Sequence, residues 1–212
     1  MYRNDGNHQW TELTSGALYT APAGQGATDT DFDGDFHGDD GPIVVQAADT
    51  WKNHSGTSAQ AEVYEGQLIL TQSGSEDFHA KLAGGPYKKS SGGTMYASFD
   101  VEFTELPSGD GSYFAHFRDD GFGYRARIIA QSTGAEEGAF RIGVTSKGKG
   151  STAVVENDLH LDTVYKIVIA MSLADASTTL WIDPDGGAAG GVTTTDNGSA
   201  EDVTGFAFRQ AK

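Results

Sequence analysis

The amino-acid sequence predicts an all-β protein with antiparallel strands, folded as a sandwich or a barrel. Runs of alternating apolar and polar residues recur between residues 63 and 208, and turns that draw on the chain's 29 glycines separate them. Apolar residues at helical spacing are nearly absent, whereas the alternation has the period of two that strands require. A chain of 212 residues can bury one sizeable core, so we expect a single domain over residues 1–212.

The first predicted strands follow directly from this alternation. Residues 96–103 have one apolar and one polar face, and the apolar face consists of Ala97, Phe99, Val101 and Phe103. Residues 112–118 and 123–131 flank a short acidic connection that contains glycine. Such a connection between two alternating runs predicts an antiparallel hairpin.

Four later runs complete the predicted sheets, at residues 140–144, 165–172, 178–183 and 203–208. The run at 165–172 is fairly apolar on both faces, which is typical of a central strand covered on both sides. We expect the last run to return to a sheet and end the domain. Before residue 62 the alternation is weak, and residues 9–10 and 43–45 are candidate strands whose register stays open.

The acidic stretch at residues 29–40, D-T-D-F-D-G-D-F-H-G-D-D, has the spacing of a calcium loop. Alternate residues of a tight loop can direct oxygens at one ion, and calcium takes roughly six to eight of them. The predicted ligands are Asp29, Asp31, Asp33, Asp35 through its backbone carbonyl, and Asp40. No flanking helices are predicted, so this is not an EF-hand. The alternative is a solvated loop in a chain crowded with acids.

The charge balance restricts the partners. The chain has 30 acidic and 14 basic residues, a net charge of -16, which disfavours nucleic acid and favours cations. It has no cysteine, so disulfides, thiolate zinc sites and cysteine nucleophiles are excluded. No apolar run approaches the length of a membrane span, and the first residues do not have the pattern of a signal peptide, so we expect no membrane insertion.

The order of the predicted strands resembles the concanavalin A-like lectin and laminin-G-like (LamG) superfamily over about residues 94–211. The residues that carry the resemblance are Met95–Phe103, Gly111–Phe117, Tyr124–Ile128, Phe140–Val144, Val164–Ile169 and Thr179–Pro184. The chain is most similar to LamG-type domains of large secreted bacterial proteins. In those domains a strand ending in Leu-Trp-Ile-Asp closes a hairpin begun by Tyr-Lys-Ile-Val-Ile.

This resemblance implies a jelly-roll sandwich that is extracellular or on the cell surface and is part of a larger secreted protein. Members of the superfamily bind glycans, adhere to proteins or cleave polysaccharides, so the fold alone does not fix the function. Its domains often hold a calcium ion near a loop edge, which agrees in kind with the acidic stretch.

A local group of arginines opposes the overall acidity. Four of the six arginines lie within residues 118–141: Arg118, Arg125, Arg127 and Arg141. Strict alternation places Arg125 and Arg127 on one face of their strand, opposite Tyr124, and places His116 with Arg118 on one face of the preceding strand. Paired as a hairpin, the two strands would bring these side chains together.

An arginine fork can bind two oxygens of a carboxylate or sulfate at once. The sequence therefore predicts an anionic-glycan surface formed by His116, Arg118, Arg125, Arg127 and Trp181, with Trp181 as an apolar platform for a sugar ring. The alternative is that the arginines pair with the protein's own acids and that Trp181 belongs to the core.

Catalysis is the second interpretation. Retaining glycosidases of this fold carry their carboxylates in a Glu-x-Asp-x-x-Glu-like run, which is absent here, and the pair Asp100 and Glu102 is expected to be solvated. A lyase would need a histidine or tyrosine base beside arginines that neutralise a uronate. His116, Tyr124 and Arg127 supply these residue types without the strand motifs of alginate-lyase-like sandwiches.

The sequence thus favours a non-catalytic extracellular carbohydrate-binding or adhesion module that is stabilised by calcium and prefers anionic polysaccharides. The first alternative is a polysaccharide-degrading enzyme, either a lyase or a glycoside hydrolase. The second is a structural spacer or protein-interaction domain. No catalytic residue is assigned.

Overall fold

Two antiparallel sheets pack face to face in the computed structural model, which confirms the predicted all-β sandwich. The structure describes residues 40–64, 66–184, 190–196 and 198–210, together with the backbone of 9–12. Over these residues no helix has the length and apolar character to cross a membrane.

The strands are, in chain order, β1 (Gln9–Glu12), β2 (Gly41–Pro42), β3 (Trp51–Ser55), β4 (Glu62–Tyr64), β5 (Gln67–Leu70), β6 (Asp77–Lys81), β7 (Thr94–Glu102), β8 (Ser112–Arg118), β9 (Tyr124–Gln131), β10 (Ala139–Thr145), β11 (Ala153–Val154), β12 (Leu159–His160), β13 (Val164–Ser172), β14 (Thr178–Ile182), β15 (Val192–Thr193) and β16 (Gly205–Arg209). A short helix α1 (Ile43–Gln46) and a 3-10 turn (Lys89–Ser91) accompany them. The first sheet has the order β15-β14-β13-β7-β1-β5-β4-β2. The second has the order β11-β10-β9-β8-β16-β6-β3, with β12 paired to β10.

The predicted alternation decides which side chains enter the core. In β7, Phe99 and Val101 are buried while Asp100 and Glu102 alternate with them on the other side. β13 lies between β7 and β14, in the central position predicted for it. β16 inserts between β6 and β8, so the last run of the chain does return to a sheet.

One candidate strand is wrong. Residues 43–45 belong to α1, in which the Ala47 amide donates to the Ile43 carbonyl. Pro42 precedes them as the last residue of β2, and its φ of -60° is compatible with the start of a helix. The buried side chain of Ile43 anchors this turn in the core.

Irregular pairing between β8 and β9 breaks the strict alternation. The register shifts twice along β8, between Tyr113 and Ala115 and between Ala115 and Phe117. On β9, Ala126 has a positive φ of 52°. Such register shifts are typical of β-bulges, in which an extra residue in one strand changes the direction of the side chains that follow it. As a result, side chains three positions apart meet on one side of the second sheet.

Candidate functional site

The side of the second sheet turned away from the core carries eight histidine, tyrosine and arginine residues. These residues, named here the basic face, are His54 on β3, His79 on β6, Tyr113, His116 and Arg118 on β8, Tyr124 and Arg127 on β9, and Arg209 on β16. Their sequence neighbours Phe78, Phe117 and Phe208 point into the core instead. Because side chains alternate along each strand, the same five strands form part of the core on one side of the sheet and the basic face on the other.

A small residue makes room for the histidines. Ala207 on β16 pairs with His79 on one side and with His116 on the other, so the two imidazoles flank its methyl group. The His54 ring completes the cluster, with its centroid 5.1 Å from His79 and 6.4 Å from His116. Ala207 is fully buried beneath these rings, although it lies outside the main core cluster.

The three histidines are neutral at pH 7. Burial lowers the pKa of His116 to about 3, and the same cause, reinforced by Arg118, lowers the pKa of His54 to about 3 and that of His79 to about 4. A neutral imidazole has one N–H donor and one nitrogen acceptor. The Nδ1 atoms of His54 and His79 lie 3.2 Å apart, so one of them donates to the other.

The tautomer of His116 follows from its surroundings. Its Nδ1 lies 3.0 Å from the Phe117 carbonyl oxygen, which can only accept, so Nδ1 carries the proton. The Nε2 atom then presents a lone pair. The Tyr124 ring lies alongside, with a centroid distance of 4.3 Å, and burial raises the pKa of the Tyr124 hydroxyl.

Positive charge on the basic face comes from the arginines. Arg118 donates from Nε to the Asp119 carbonyl at 2.9 Å and from Nη2 to the Gly121 carbonyl at 3.0 Å. Arg127 donates from Nη1 to the Gly148 carbonyl at 3.0 Å, and burial lowers its pKa. All three acceptors are uncharged. Within the described ranges, no carboxylate forms an ion pair with either guanidinium.

Tyr113 lies between two guanidinium groups. Arg127 is 4.8 Å from the ring centroid and Arg209 is 4.3 Å from it. Arg209 Nε also lies 3.3 Å from Asp77 Oδ1, an ion pair by distance that lacks hydrogen-bond geometry. Burial raises the pKa of Asp77, with Arg209 opposing the rise. Arg209 is thus compensated by a carboxylate, unlike Arg118 and Arg127.

Besides Arg209 Nε, which lies beside the Asp77 carboxylate, four buried polar atoms of the basic face have no hydrogen-bond partner among the described residues. They are His54 Nε2, His116 Nε2, Arg118 Nη1 and Arg127 Nε. A buried polar group without a partner costs about 1–3 kcal/mol, and folded proteins contain few of them. Four on one sheet face are therefore characteristic of a surface that completes its hydrogen bonds with a ligand or with ordered water.

The structure brings together three of the five residues predicted from sequence for ligand binding. His116, Arg118 and Arg127 lie on the basic face. Arg125 does not, because the irregularity at Ala126 separates it from Arg127. Arg125 pairs across the strands with the core residue Phe117, donates to the Ser199 carbonyl and forms a 3.0 Å ion pair with Glu201.

Trp181 lies on the other sheet, on β14, and alternates outward from the buried Leu180. Its indole packs against Gly191, where a Cβ atom would come within 2.4 Å of the indole nitrogen. Arg141, the fourth arginine of the group, forms a 2.6 Å ion pair with Asp158. The prediction that Arg125 lies beside His116 is therefore wrong, because strict alternation does not hold there. Trp181 belongs to a separate surface.

Asp100 and Glu102 lie on the first sheet and are less solvated than their sequence suggests. Burial, followed by the charge of Asp162, raises the pKa of Glu102. Lys166 Nζ lies 3.7 Å from Asp100, so this pair already has a cation beside it.

Asp29, Asp31, Asp33 and Asp35 of the calcium prediction lie outside the described residues. Asp40 is described and exposed, and its backbone carbonyl accepts from Gln46 Nε2 at 3.2 Å. Among the residues with described positions, no three His, Asp or Glu side chains are grouped as a metal would require.

Sequence reasoning did not find His54, His79, Tyr113 or Arg209. Three of them come from β3, β6 and β16, which are distant from the arginine-rich hairpin along the chain. Only the strand order places them beside β8. The available signal was the strand alternation, in which His79 and Arg209 flank buried phenylalanines.

No family model and no curated protein matches this chain. Among solved structures, a chain described as a sialidase is similar, with a TM-score of 0.49 and 16% sequence identity. The alignment covers 84% of this chain and 15% of the sialidase chain. A likeness of this size does not extend to the side chains of a site.

Proposed function

We propose that the basic face binds an acidic sugar residue, uronic or sulfated, of an anionic polysaccharide. The observation that carries this proposal is the set of buried donors and acceptors without partners, above all Arg118 Nη1 and Arg127 Nε. Charge-assisted hydrogen bonds from arginine to a carboxylate or sulfate are among the strongest that proteins form. An anionic group beside either guanidinium would satisfy its free donor and offset the cost of its burial.

The histidines suit the rest of a sugar. A neutral His116 keeps an Nε2 lone pair that can accept from a hydroxyl, which a charged imidazolium would not do, and a sugar must displace the rings around this buried atom to reach it. Because the chain as a whole is acidic, any attraction for an anion has to come from this local cationic surface.

Calorimetric titration with matched oligosaccharides tests the proposal. We expect wild-type protein to bind galacturonate or sulfated galactose tetramers at least about tenfold more tightly than a neutral hexose tetramer. Arg127→Lys keeps the charge but loses the planar fork, and should weaken binding about tenfold. The matched control is Arg141→Lys, since Arg141 is already paired with Asp158. Equal or absent binding of acidic and neutral tetramers would favour a spacer instead.

A second candidate function is a lyase that cleaves the same polysaccharide by β-elimination. The observation favouring it is the lone pair of His116 Nε2 beside the Tyr124 ring, with Arg127 5.7 Å from that ring's centroid. His116 would take the proton from C5 of the uronate. The electron pair would form the C4–C5 double bond, the C4–O bond would break, and the Tyr124 hydroxyl would protonate the leaving oxygen.

The low pKa of His116 makes it a weak base, which is why binding is the primary proposal. Incubation with polyuronates and detection of unsaturated products separates the two functions. A lyase would form such products in the wild type and lose them in Tyr124→Phe while retaining affinity. A binding module would form none at any enzyme concentration.

We also propose that residues 29–40 bind calcium, on the support of their ligand spacing alone. Binding would stabilise the fold by about 2.7 kcal/mol at a hundredfold excess over Kd. Thermal melts with calcium and with chelator should therefore differ in wild type and coincide in an Asp31→Asn, Asp33→Asn variant. Asp49→Asn, in another acidic position, serves as the control. If chelation leaves the wild-type Tm unchanged, residues 29–40 do not bind calcium.

We further propose that the sandwich is a LamG-like jelly roll that works outside the cell within a larger secreted protein. Its support is that the residues carrying the resemblance coincide with β7 to β10, β13 and β14. Fractionation of the producing cells, followed by detection of this chain, tests the location.

A further inference from the structure

The tip of the β8–β9 hairpin presents the most exposed large apolar side chain within the described ranges. Phe122 is 82% exposed, against 60% for Val45, 39% for Val164 and 38% for Leu106. A single exposed hydrophobic residue is common and needs no explanation by itself. The loop that holds Phe122 and its position beside the basic face distinguish it from the other three.

This loop is fixed by hydrogen bonds from both of its flanks. The Asp119 carboxylate accepts from the Gly121 amide at 2.7 Å and from the Gly123 amide at 2.8 Å. At Gly123 a Cβ atom would lie 2.4 Å from Asp119 Oδ2, so this closure requires glycine. The turn thus fixes the backbone at Phe122, which lowers the loop-ordering part of the entropy cost of a contact there.

Arg118 joins the turn to the basic face. Two of its guanidinium nitrogens donate to the carbonyls of Asp119 and Gly121, and its remaining Nη1 is the buried donor without a partner. One planar group therefore holds the hairpin tip with one edge and offers a donor to a ligand with another. Arg118 acts on Phe122 as a positioning residue.

Aromatic rings continue from the hairpin tip into the basic face. The Phe122 ring is 6.3 Å from the Tyr124 ring, and the Tyr124 ring is 4.3 Å from that of His116. Phe122 thus lies next to Tyr124, on the side away from His116, beside the residues that would hold an acidic sugar. It is uncharged and offers a flat face, so it would contact the apolar side of a ring rather than an anionic group.

We propose that Phe122 forms a second sugar subsite, which packs against the pyranose adjacent to the acidic sugar on the basic face. This inference rests on the proposed function, because the first sugar determines where the second one lies. It makes the ligand a chain of at least two residues. The adjacent sugar is recognised by its C–H face and needs no charge.

Calorimetry with galacturonate monomer and tetramer tests the second subsite. Phe122→Ala should weaken tetramer binding roughly fivefold to tenfold and leave monomer binding unchanged. Phe122→Tyr should restore tetramer affinity. Asp119→Ala, which loosens the turn but keeps the ring, should give a smaller loss. Val164→Ala, an exposed apolar residue on the first sheet, is the control and should bind as wild type does.

The possible outcomes separate the two proposals. If wild type binds the tetramer and Phe122→Ala binds it equally well, the second subsite is wrong and the proposed function stands. If Phe122→Ala weakens monomer and tetramer alike, Phe122 contacts the acidic sugar itself and there is no separate subsite. If wild type binds neither ligand, nor a sulfated tetramer, both proposals are wrong.

Discussion

The two sides of the second sheet use alternate residues of the same strands in opposite ways. The inner side carries phenylalanines that are fully buried and packed edge to face, such as Phe208 against Phe99 at 5.6 Å and against Phe206 at 5.4 Å. The outer side carries the basic face, where His116 is equally buried but retains a nitrogen without a partner. His116 is thus as buried as the phenylalanines, whereas the packing of its surroundings leaves its Nε2 without a hydrogen-bond partner.

This difference assigns stability to one side of the sheet and recognition to the other. A methyl group removed from the inner side leaves a cavity, because the neighbouring rings are already close-packed. On the outer side, the polar atoms without partners form no hydrogen bond within the described fold, so their removal breaks no such bond. Substitutions on the inner side should therefore lower the free energy of unfolding, and those on the outer side should mainly lower affinity.

The largest effect is expected on the inner side. Phe208→Ala should lower the free energy of unfolding by about 3–5 kcal/mol, since the lost ring contacts Trp51, Phe78, Phe99 and Phe206. Denaturant titration measures this change. Phe122→Ala is the matched control, because its ring is mostly in solvent and its loss should change stability by less than about 0.5 kcal/mol. Similar losses in the two variants would contradict the assignment.

The next effect concerns pH and belongs to the outer side. His116 has a folded pKa of about 3 against 6.5 for an ordinary histidine, so below pH 6.5 the unfolded chain binds a proton that the folded protein does not. Stability should therefore fall as the pH drops from 6.5 towards 3, by about 1.4 kcal/mol per pH unit for this group.

His116→Gln removes the titrating group and should make this slope shallower. At pH 5 the contribution that disappears is about 2 kcal/mol relative to pH 7. Denaturant titrations of both proteins at pH 7, 6 and 5 give the two slopes. Parallel slopes would show that His116 has the same pKa in the folded and the unfolded protein, so that burial does not keep its imidazole neutral below pH 6.5.

The sequence was sufficient for the fold because the core obeys a simple period. Phe99, Val101 and Phe103 alternate without interruption, and each is buried as predicted. Alternation is a local property that a single strand displays. The candidate strand at 43–45 differs because a short apolar run has no period that separates a strand from a helical turn.

The site was less accessible to sequence reasoning for two physical reasons. One is the irregularity at Ala126, which separates Arg125 from Arg127 even though they are two residues apart. The other is that β6 and β16 bring His79 and Arg209 from distant parts of the chain. Composition and spacing identified His116, Arg118, Tyr124 and Arg127 on the hairpin but not Tyr113, and the strand order supplied His54, His79 and Arg209.

A smaller effect on stability is expected when Arg125 and Arg127 are each replaced by lysine. Arg125 is 8% exposed and donates to Tyr124, Ser199 and Glu201, so Arg125→Lys should cost about 1–3 kcal/mol of stability. Arg127→Lys loses one bond to a carbonyl and should cost less than about 1 kcal/mol. Thermal melts of the two variants, run beside the tetramer titrations, test whether stability and affinity separate. A larger loss of stability in Arg127→Lys would make it a structural residue.

The smallest expected effect is that of salt on the binding of an acidic tetramer. Exposed charges are largely screened at separations beyond about 8 Å at physiological ionic strength, but buried groups are screened much less. Arg118 is 6% exposed, so the bonds that we assign to it should persist. Raising the salt from about 50 to about 500 mM should weaken binding only roughly twofold to fivefold. Calorimetry across this range decides the point: a loss of a hundredfold or more would place the ligand on exposed lysines, and the buried outer side of the second sheet would then have no role in recognition.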